Sequence, residues 1–291
     1  MKRLVNLYVQ SPEFNRLRDK TKVDYTRFLK VLTDRFGEKT ANSVTGKDAK
    51  IAYEEWVKRG IQLANHVAVV SGRAYRYGLD MEYVKNNPFA LVRKLTPASR
   101  NVVWTEDQVR EFLNVAYGDF VYRNVGLIVQ MAYEWCQRVG DMRMLLWNAI
   151  DLNKGRCDFE QSKRGEAVHL PISDGLMHVL RQQYETFSFQ VLVAPQIQPS
   201  DGAYKPYSKE GLHVHVNAIL KEAGLPSHLT AMDMRRTAIT EMVEAGVDIT
   251  QIKQVSGHTS INSLTPYIKH TYTGASEALA QRNAYKDSTD G

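Results

Sequence analysis

Residues 257–267 of this chain read GHTSINSLTPY, and they place Tyr267 nine residues after His258. The preceding residues 249–255 carry apolar side chains at helical spacing, so Gly257 is predicted to end a helix. The histidine thus directly follows the predicted helix end, and the tyrosine comes nine residues after the histidine. A single tyrosine is more often a packing residue than a nucleophile, and the chain holds 15 of them, so the rest of the sequence must supply the context.

Two upstream arginines supply that context. Arg138 lies in the segment CQRVGD, and Arg235 lies in the segment MDMRRT. A guanidinium donates paired hydrogen bonds to phosphate oxygens and keeps its charge at any working pH. A tyrosine suits attack on phosphorus when the new bond must later be reversed, because a phenolate leaves more easily than an alkoxide. These residue types suit phosphoryl transfer to a tyrosine, for which Tyr267 and the nearby Tyr272 are both candidates.

Size and composition limit the class of protein. The chain has 291 residues and is 43% hydrophobic, which is enough for one large or two medium cores. No apolar run approaches the roughly 18 residues of a membrane span, and no apolar signal core follows the basic N-terminus. Two cysteines, Cys136 and Cys157, fit a reducing compartment. The sequence therefore predicts a soluble cytoplasmic protein that makes no membrane contact.

Charge is distributed unevenly along the chain. The formal net charge is +6, and residues 1–100 carry 20 Lys and Arg against 10 Asp and Glu. The remaining residues carry 18 basic side chains against 22 acidic ones. This asymmetry predicts that the first segment meets a polyanion such as nucleic acid. The alternative is a basic face that is merely solvated.

The first hundred residues have helical patterns. Apolar side chains at helical spacing predict one helix whose buried stripe contains Tyr25, Phe28, Leu29 and Leu32. A second helix is predicted over residues 47–59 with Gly60 as its C-cap, and a third over residues 63–77 ending at Gly78. Residues 96–102 are polar, contain a proline and lack periodicity. They are predicted to be a linker between domains covering residues 1–95 and 103–291.

The second segment mixes helices with a hairpin. Thr105 and Gln108 have the spacing of a capping box, and a long apolar helix is predicted from Arg123 to Cys136. Alternating strands on either side of the turn Ser162-Lys163-Arg164-Gly165 predict a β-hairpin. Helices are predicted again after residue 173. The expected fold class is therefore α+β, mainly helical with a small β-sheet.

In their order and surroundings, these residues resemble the active site of the tyrosine recombinases, the phage integrase family of DNA strand-exchange enzymes. The resemblance covers nearly the whole chain and is strongest from about Trp104 to His270. It implies that Tyr267 is the nucleophile and that His258 hydrogen-bonds the scissile phosphate. It also implies two catalytic arginines and a general acid on the hairpin, namely Arg138, Arg235 and Lys163. A structural histidine and a solvated hairpin lysine are the alternatives.

Neighbouring residues receive lesser roles. Arg236 cannot serve the same phosphate as Arg235 equally, because adjacent residues on a helix point about 100° apart. Arg236 is therefore expected to be structural or to contact the DNA backbone, and Arg164 is expected to contact substrate beside Lys163. His213 and His215 are not expected to bind metal, because they would diverge on a helix and no other ligands cluster with them.

Met232 departs from the family pattern, which usually has histidine or lysine three residues before the second arginine. Methionine cannot transfer a proton or donate a hydrogen bond. The enzyme is expected to be slower and to rely on Lys163 and the arginines, since positioning and charge neutralisation carry much of phosphoryl transfer. Alternatively, His228 takes the missing role, or the protein binds DNA and cleaves it poorly.

The resemblance also implies an overall mode of action. Residues 1–95 would form a helical core-binding domain, and residues 103–291 a catalytic domain with a tail from about residue 271. The domains would clamp double-stranded DNA, and four protomers would exchange strands through a 3′-phosphotyrosyl intermediate and a Holliday junction. Neither ATP nor metal would be needed, and DNA-bending accessory proteins are possible partners. Because the core-binding pattern begins almost at Met1, little room is expected for the arm-site-binding domain of many phage integrases.

Two rival functions stay open. A type IB topoisomerase-like enzyme shares the tyrosine chemistry but relaxes DNA as a monomer without site preference. A non-catalytic DNA-binding protein descended from a recombinase is suggested only by Met232. The tail of the chain has its own alternatives, since Ala275, Leu279 and Ala280 share a helical face that docks either on a neighbouring protomer or on its own domain.

Overall fold

The computed structural model describes residues 1–163, 165–196, 204–267 and 272–289. The chain divides into two compact units, Met1–Arg100 and Asn101–Gly291. The described residues are mainly helical, with one small antiparallel sheet, which confirms the predicted fold class. Within those residues, no helix combines the length and apolar character needed to cross a membrane.

The first unit is helical throughout its described elements. Its helices are α1 (Lys2–Val9), α2 (Pro12–Asn15), α3 (Asp19–Phe36), α4 (Gly46–Val57) and α5 (Ile61–Asp80), with a 3-10 turn at Ala41–Ser43. The predicted stripe of α3 is confirmed, since Phe28, Leu29 and Leu32 are buried and Tyr25 is half-buried. Burial of aromatic and aliphatic side chains from all of its longer helices stabilises this unit.

Two glycines in this unit do not have the predicted roles. Gly60 is the residue before α5, with φ +138°, whereas α4 already ends at Val57. Gly78 lies inside α5, where a Cβ atom would come within 2.5 Å of the Leu4 side chain. Close packing of α1 on α5 therefore explains Gly78, and the prediction that it ends the helix was wrong.

The second unit surrounds a buried helix with further helices and a sheet. Its helices are α6 (Glu106–Gly118), α7 (Arg123–Glu134), α8 (Val139–Met142), α9 (Asp174–Phe187), α10 (Lys209–Glu222), α11 (Met234–Glu244), α12 (Ile249–Ser256) and α13 (Tyr272–Thr289). Short 3-10 helices cover Trp147–Ala149, Ala231–Asp233, Ile261–Ser263 and Thr265–Tyr267. The predicted capping box is confirmed, because the side chains of Thr105 and Gln108 each accept the other's backbone N–H.

Helix α7 ends earlier than its apolar pattern suggests. Its last residue is Glu134, and Cys136 adopts a left-handed conformation with φ +53°. That conformation is unusual for a residue with a Cβ atom. It turns the chain so that Arg138 becomes the N-cap residue of α8. The prediction of a helix reaching Cys136 was therefore wrong.

The sheet has the order β1-β2-β3, with every neighbouring pair antiparallel. Its strands are β1 (Ile150–Asp151), β2 (Arg156–Glu160) and β3 (Ala167–Pro171). The β2–β3 pairing confirms the predicted hairpin, whose buried face includes Cys157, Val168 and Leu170. The two-residue strand β1 was not predicted, because it is too short to show alternation.

Candidate active site

Arg138 is held at the start of α8 by polar contacts. Its Nη1 atom donates a hydrogen bond to Oε1 of Gln161 at 2.9 Å and lies 3.8 Å from Oδ2 of Asp141. Asp141 also accepts hydrogen bonds from the backbone N–H and hydroxyl of Ser162. The first arginine is therefore tied to the β2–β3 hairpin, which carries Lys163 at its turn.

Two fully buried glutamines extend these contacts to α12. Nε2 of Gln161 donates to Oε1 of Gln137 at 2.6 Å and to the carbonyl of Ser256 at 2.9 Å. Nε2 of Gln137 donates to the carbonyl of Val255 at 2.7 Å. Sequence reasoning missed both glutamines, because only their places beside Arg138 and the hairpin turn distinguish them from surface residues.

Gly257 allows this close approach. It ends α12 with φ +64°, which confirms the predicted helix end. A Cβ atom there would lie 2.4 Å from Nε2 of Gln161 and 3.0 Å from the Val168 side chain. Both the left-handed conformation and the contact with the hairpin therefore require glycine.

Arg235 lies in the first turn of α11 and is only 8% exposed. Its Nη2 atom is 3.2 Å and 3.3 Å from the two ring nitrogens of His258. Over the part of the chain that the structure describes, Nη1 has no hydrogen-bond partner and no carboxylate lies within 4.0 Å of the guanidinium. Burial, and after it the nearby positive charge of Arg138, lowers the pKa of Arg235 to about 10, whereas Tyr267 acts in the opposite direction.

Tyr267 lies in the segment that follows α12 and is the last residue of the cluster. It is half-buried at the end of the 3-10 segment Thr265–Tyr267, with its ring centroid 6.4 Å from that of His258. The guanidinium carbon of Arg236 lies 4.9 Å from the centre of the Tyr267 ring. The two adjacent arginines therefore point to different partners, as the helix geometry predicted, and Arg236 contacts the tyrosine by a cation–π interaction.

Met232, the position that departs from the family pattern, is exposed to solvent. It lies in the 3-10 turn before α11, where Oδ2 of Asp233 accepts hydrogen bonds from the backbone N–H and hydroxyl of Thr230, both at 2.9 Å. The Met232 side chain is 83% exposed. The capping residues thus fix the turn, while the Met232 side chain faces solvent.

The structure brings together Arg138, Arg235, His258 and Tyr267. Lys163 stays exposed at the hairpin turn, and in the described ranges no hydrogen bond or ion pair joins it to this cluster. Arg164 lies outside the described residues. His213 and His215 lie on α10, and among the described residues no group of three or more His, Cys, Asp or Glu side chains is arranged to hold a metal ion.

Similarity to known proteins covers the same region. The family model described as "Phage integrase family" matches residues 103–273. The tyrosine recombinase XerC of Lacticaseibacillus casei is 23% identical over 201 residues, which span 66% of this chain and 66% of that protein, just under two thirds. The tyrosine recombinase XerA of Pyrococcus furiosus is 25% identical over 264 residues, covering 89% of this chain and 86% of the relative.

Solved structures share the fold at lower identity. A lambda integrase fragment, solved as a dimer bound to a COC′ core site, matches with a TM-score of 0.79 and 17% identity over 92% of this chain and 94% of that one. The Tn1549 transposon integrase in complex with circular intermediate DNA matches with a TM-score of 0.77 and 16% identity, covering 96% and 98%. A lambda integrase tetramer bound to a Holliday junction matches with a TM-score of 0.74 and 16% identity, covering 92% and 76%.

Proposed function

Because this chain belongs to the phage integrase family of tyrosine recombinases, we propose that it is a site-specific DNA recombinase that cuts and rejoins DNA through a 3′-phosphotyrosyl intermediate. The observation that carries the proposal is the guanidinium of Arg235. It is buried near a second guanidinium and a phenol, and it has no carboxylate partner among the described residues. A scissile phosphodiester supplies the missing negative charge.

The energetics of the arginines support an anion site. Two like charges close together and away from water are unfavourable unless an anion joins them. A pentacovalent phosphate carries its charge on oxygens that planar guanidinium forks match in geometry. Arg138 and Arg235 suit this task, since each is held by neighbouring side chains, Gln161 in one case and His258 in the other.

The proposed reaction uses the remaining residues in turn. The phenol oxygen of Tyr267 gives up its proton to water and attacks phosphorus, the bond from phosphorus to the 5′ oxygen breaks, and that oxygen takes up a proton from a donor. Lys163 is our candidate donor of this proton, brought to the site when DNA meets the exposed hairpin turn. Attack by the 5′ hydroxyl of a partner strand then reverses the step and releases Tyr267.

We propose double-stranded DNA and three further copies of this chain as the partners. The first hundred residues carry a large excess of positive charge, which supports contact with the DNA backbone. The similar lambda integrase structures were solved bound to a DNA core site and to a Holliday junction. By analogy, four protomers would exchange strands in pairs, with DNA-bending proteins as possible accessories.

A covalent trapping experiment tests the proposed function. Duplexes that the protein selects from a random pool are rebuilt as nicked suicide substrates, from which the released strand diffuses away. We expect the native protein to form an SDS-stable adduct, Tyr267→Phe to bind the same DNA without forming one, and the control Tyr272→Phe to react normally. An adduct that persists in Tyr267→Phe would remove Tyr267 as the nucleophile.

The same reagents separate the rival functions. Relaxation of supercoiled plasmid that lacks the selected sequence would favour a topoisomerase-like enzyme. Tight binding without any adduct, in the native protein and in Met232→His alike, would favour a DNA-binding protein that has lost catalysis. Recombination between two plasmid copies of the selected site is the result that the proposal predicts.

A further inference from the structure

Ser256, the last residue of α12, contacts the active-site histidine. It is fully buried, and its Oγ atom lies 2.6 Å from the carbonyl oxygen of Ile252 and 2.7 Å from Nδ1 of His258. No sequence motif singles out this serine. It is, however, the residue directly before Gly257, whose conformation turns the histidine back towards the helix end.

The two short contacts fix where the protons lie. A hydroxyl has a single proton, and a carbonyl oxygen can only accept. The proton of Ser256 must therefore point to Ile252, because two oxygens 2.6 Å apart would otherwise repel each other. The serine oxygen then faces Nδ1 of His258 with a lone pair, so Nδ1 must carry a proton and donate it.

The contact with Arg235 is compatible with this assignment. Its Nη2 atom is 3.2 Å and 3.3 Å from the two ring nitrogens of His258. Because the lone pairs of an imidazole point outward in the ring plane, a donor this close to both nitrogens lies over the ring face. The guanidinium therefore does not compete with the hydrogen bond that Nδ1 donates to Ser256.

We propose that Ser256 is a positioning residue that holds the proton of His258 on Nδ1 and thereby makes Nε2 the ring nitrogen that changes its proton during the reaction. Unprotonated Nε2 accepts a proton released in the site, and protonated Nε2 donates to a phosphate oxygen. Without Ser256, Nε2 would be protonated for part of the time before substrate arrives. The tautomer assignment stands on geometry alone, whereas its effect on rate rests on the proposed recombinase function.

Nitrogen-15 NMR of the full chain tests the tautomer directly. Protein with labelled histidines is measured above the titration range of imidazole, and the His258 signals are identified by their loss in His258→Gln. We expect Nδ1 to be the protonated nitrogen in the native protein and a large part of the population to shift to Nε2–H in Ser256→Ala. Ser256→Cys keeps the side-chain volume but accepts hydrogen bonds poorly, so the same shift is expected there.

Thr186→Ala is the matched control. Thr186 also donates its hydroxyl proton to the carbonyl four residues earlier, at 3.0 Å, but it lies on α9 and is exposed. Its replacement should leave the His258 signals unchanged. A native protein with Nε2 protonated, or a tautomer unchanged in both Ser256 variants, would overturn the assignment.

Single-turnover cleavage of a suicide substrate tests the role in the reaction. We expect Ser256→Ala to cleave about fivefold more slowly, the factor that corresponds to one net hydrogen bond, and Ser256→Thr to recover most of that loss. An unchanged rate with a shifted tautomer would overturn the positioning role. If the native protein fails to cleave while Nδ1 is protonated, the proposed function fails and the tautomer assignment stands.

Discussion

At the residue scale, the buried guanidinium of Arg235 is the observation that most strongly supports the proposed active site. Burial and the charge of Arg138 lower its pKa to about 10, and over the described residues no carboxylate lies within 4.0 Å of it. A buried charge without a countercharge destabilises a folded protein. Such an arrangement is expected where the countercharge arrives with the substrate.

Replacing this arginine should separate stability from activity. We expect Arg235→Met to raise the free energy of unfolding by roughly 1 kcal/mol, because an apolar side chain of similar length carries no buried charge. Cleavage should fall by about a hundredfold or more, since a phosphate ligand is lost. Denaturant unfolding and single-turnover kinetics measure the two effects.

Arg236→Met is the control for this prediction. Arg236 is half-buried and contacts the Tyr267 ring, so its loss should lower stability by about 0.5 to 1 kcal/mol. If Arg235→Met were instead destabilised by more than Arg236→Met, Arg235 would be a structural residue and the anion-site interpretation would be contradicted.

Met232 gives a second prediction at this scale. Because its side chain is exposed, Met232→His should fold with unchanged stability and cleave at least as fast as the native protein. Met81→His, which changes an exposed methionine of the first unit, is the comparison variant. A marked fall in the single-turnover rate of Met232→His, but not of Met81→His, would contradict the view that Met232 merely lacks a side chain able to transfer a proton or donate a hydrogen bond.

At the element scale, the junction between α12 and the β2–β3 hairpin holds the site together. Gln161, from the hairpin, reaches Gln137 beside Arg138 and the carbonyl of Ser256 at the end of α12. This approach is possible because Gly257 has no side chain. The Gln161 side chain thus joins Arg138, Gln137 and the end of α12, which are distant in sequence, and so positions Arg138 relative to the segment that carries His258.

Gly257→Ala tests this junction against a matched control. Gly224 also has a left-handed conformation, with φ +65°, but a Cβ atom there meets nothing within 4 Å. We expect Gly224→Ala to cost about 1 kcal/mol of stability from backbone conformation alone. Gly257→Ala should cost about 2 kcal/mol more because of overlap with Gln161, and cleavage should slow with it. Equal losses in the two variants would show that the junction is not tightly packed.

Elements with a local signal were predictable from the sequence. The stripe of α3, the capping box of α6, the hairpin and the helix end at Gly257 each follow from residues within a few positions of one another. Gly78 was misread because its role is set by Leu4, a residue distant in sequence. The buried glutamines carry no local signal either, since only tertiary contacts distinguish them from surface polar residues, and the sequence does not show that Ser256 is buried.

The candidate site residues also differ in how far the sequence could predict their placement. Arg138, Arg235, His258 and Tyr267 were named by a family pattern, and the structure brings these four together. Lys163 is a different case, because its own side chain is exposed and, within the described ranges, no hydrogen bond or ion pair joins it to them. Its role depends on contacts with DNA and stays a prediction.

At the scale of the whole molecule, the tail after Tyr267 bears on assembly. Helix α13 exposes Leu279 and Tyr285, at 57% and 69%, and Ala280 is exposed as well. The side chain of Ala275, the third residue of the expected apolar face, lies outside the described residues. Exposed apolar side chains on a terminal helix suit docking onto another copy of the chain.

Deleting residues 272–291 tests that role. We expect the shortened protein to unfold at the same denaturant concentration, because exposed side chains contribute little to stability. It should still bind the selected duplex but fail to form tetramers on paired sites in gel filtration. Leu279→Ser should weaken assembly in the same direction. Unchanged tetramer formation by the shortened protein would exclude docking in trans.

The central claim is that Tyr267 forms a covalent bond to DNA in a site that contains Arg138, Arg235 and His258. Mass spectrometry of the trapped adduct, after digestion with nuclease and trypsin, identifies the residue that carries the nucleotide. We predict a 3′-linked nucleotide on Tyr267 in the native protein. A nucleotide on any other residue, or no nucleotide-bearing peptide from DNA that the protein demonstrably cuts, would contradict the account.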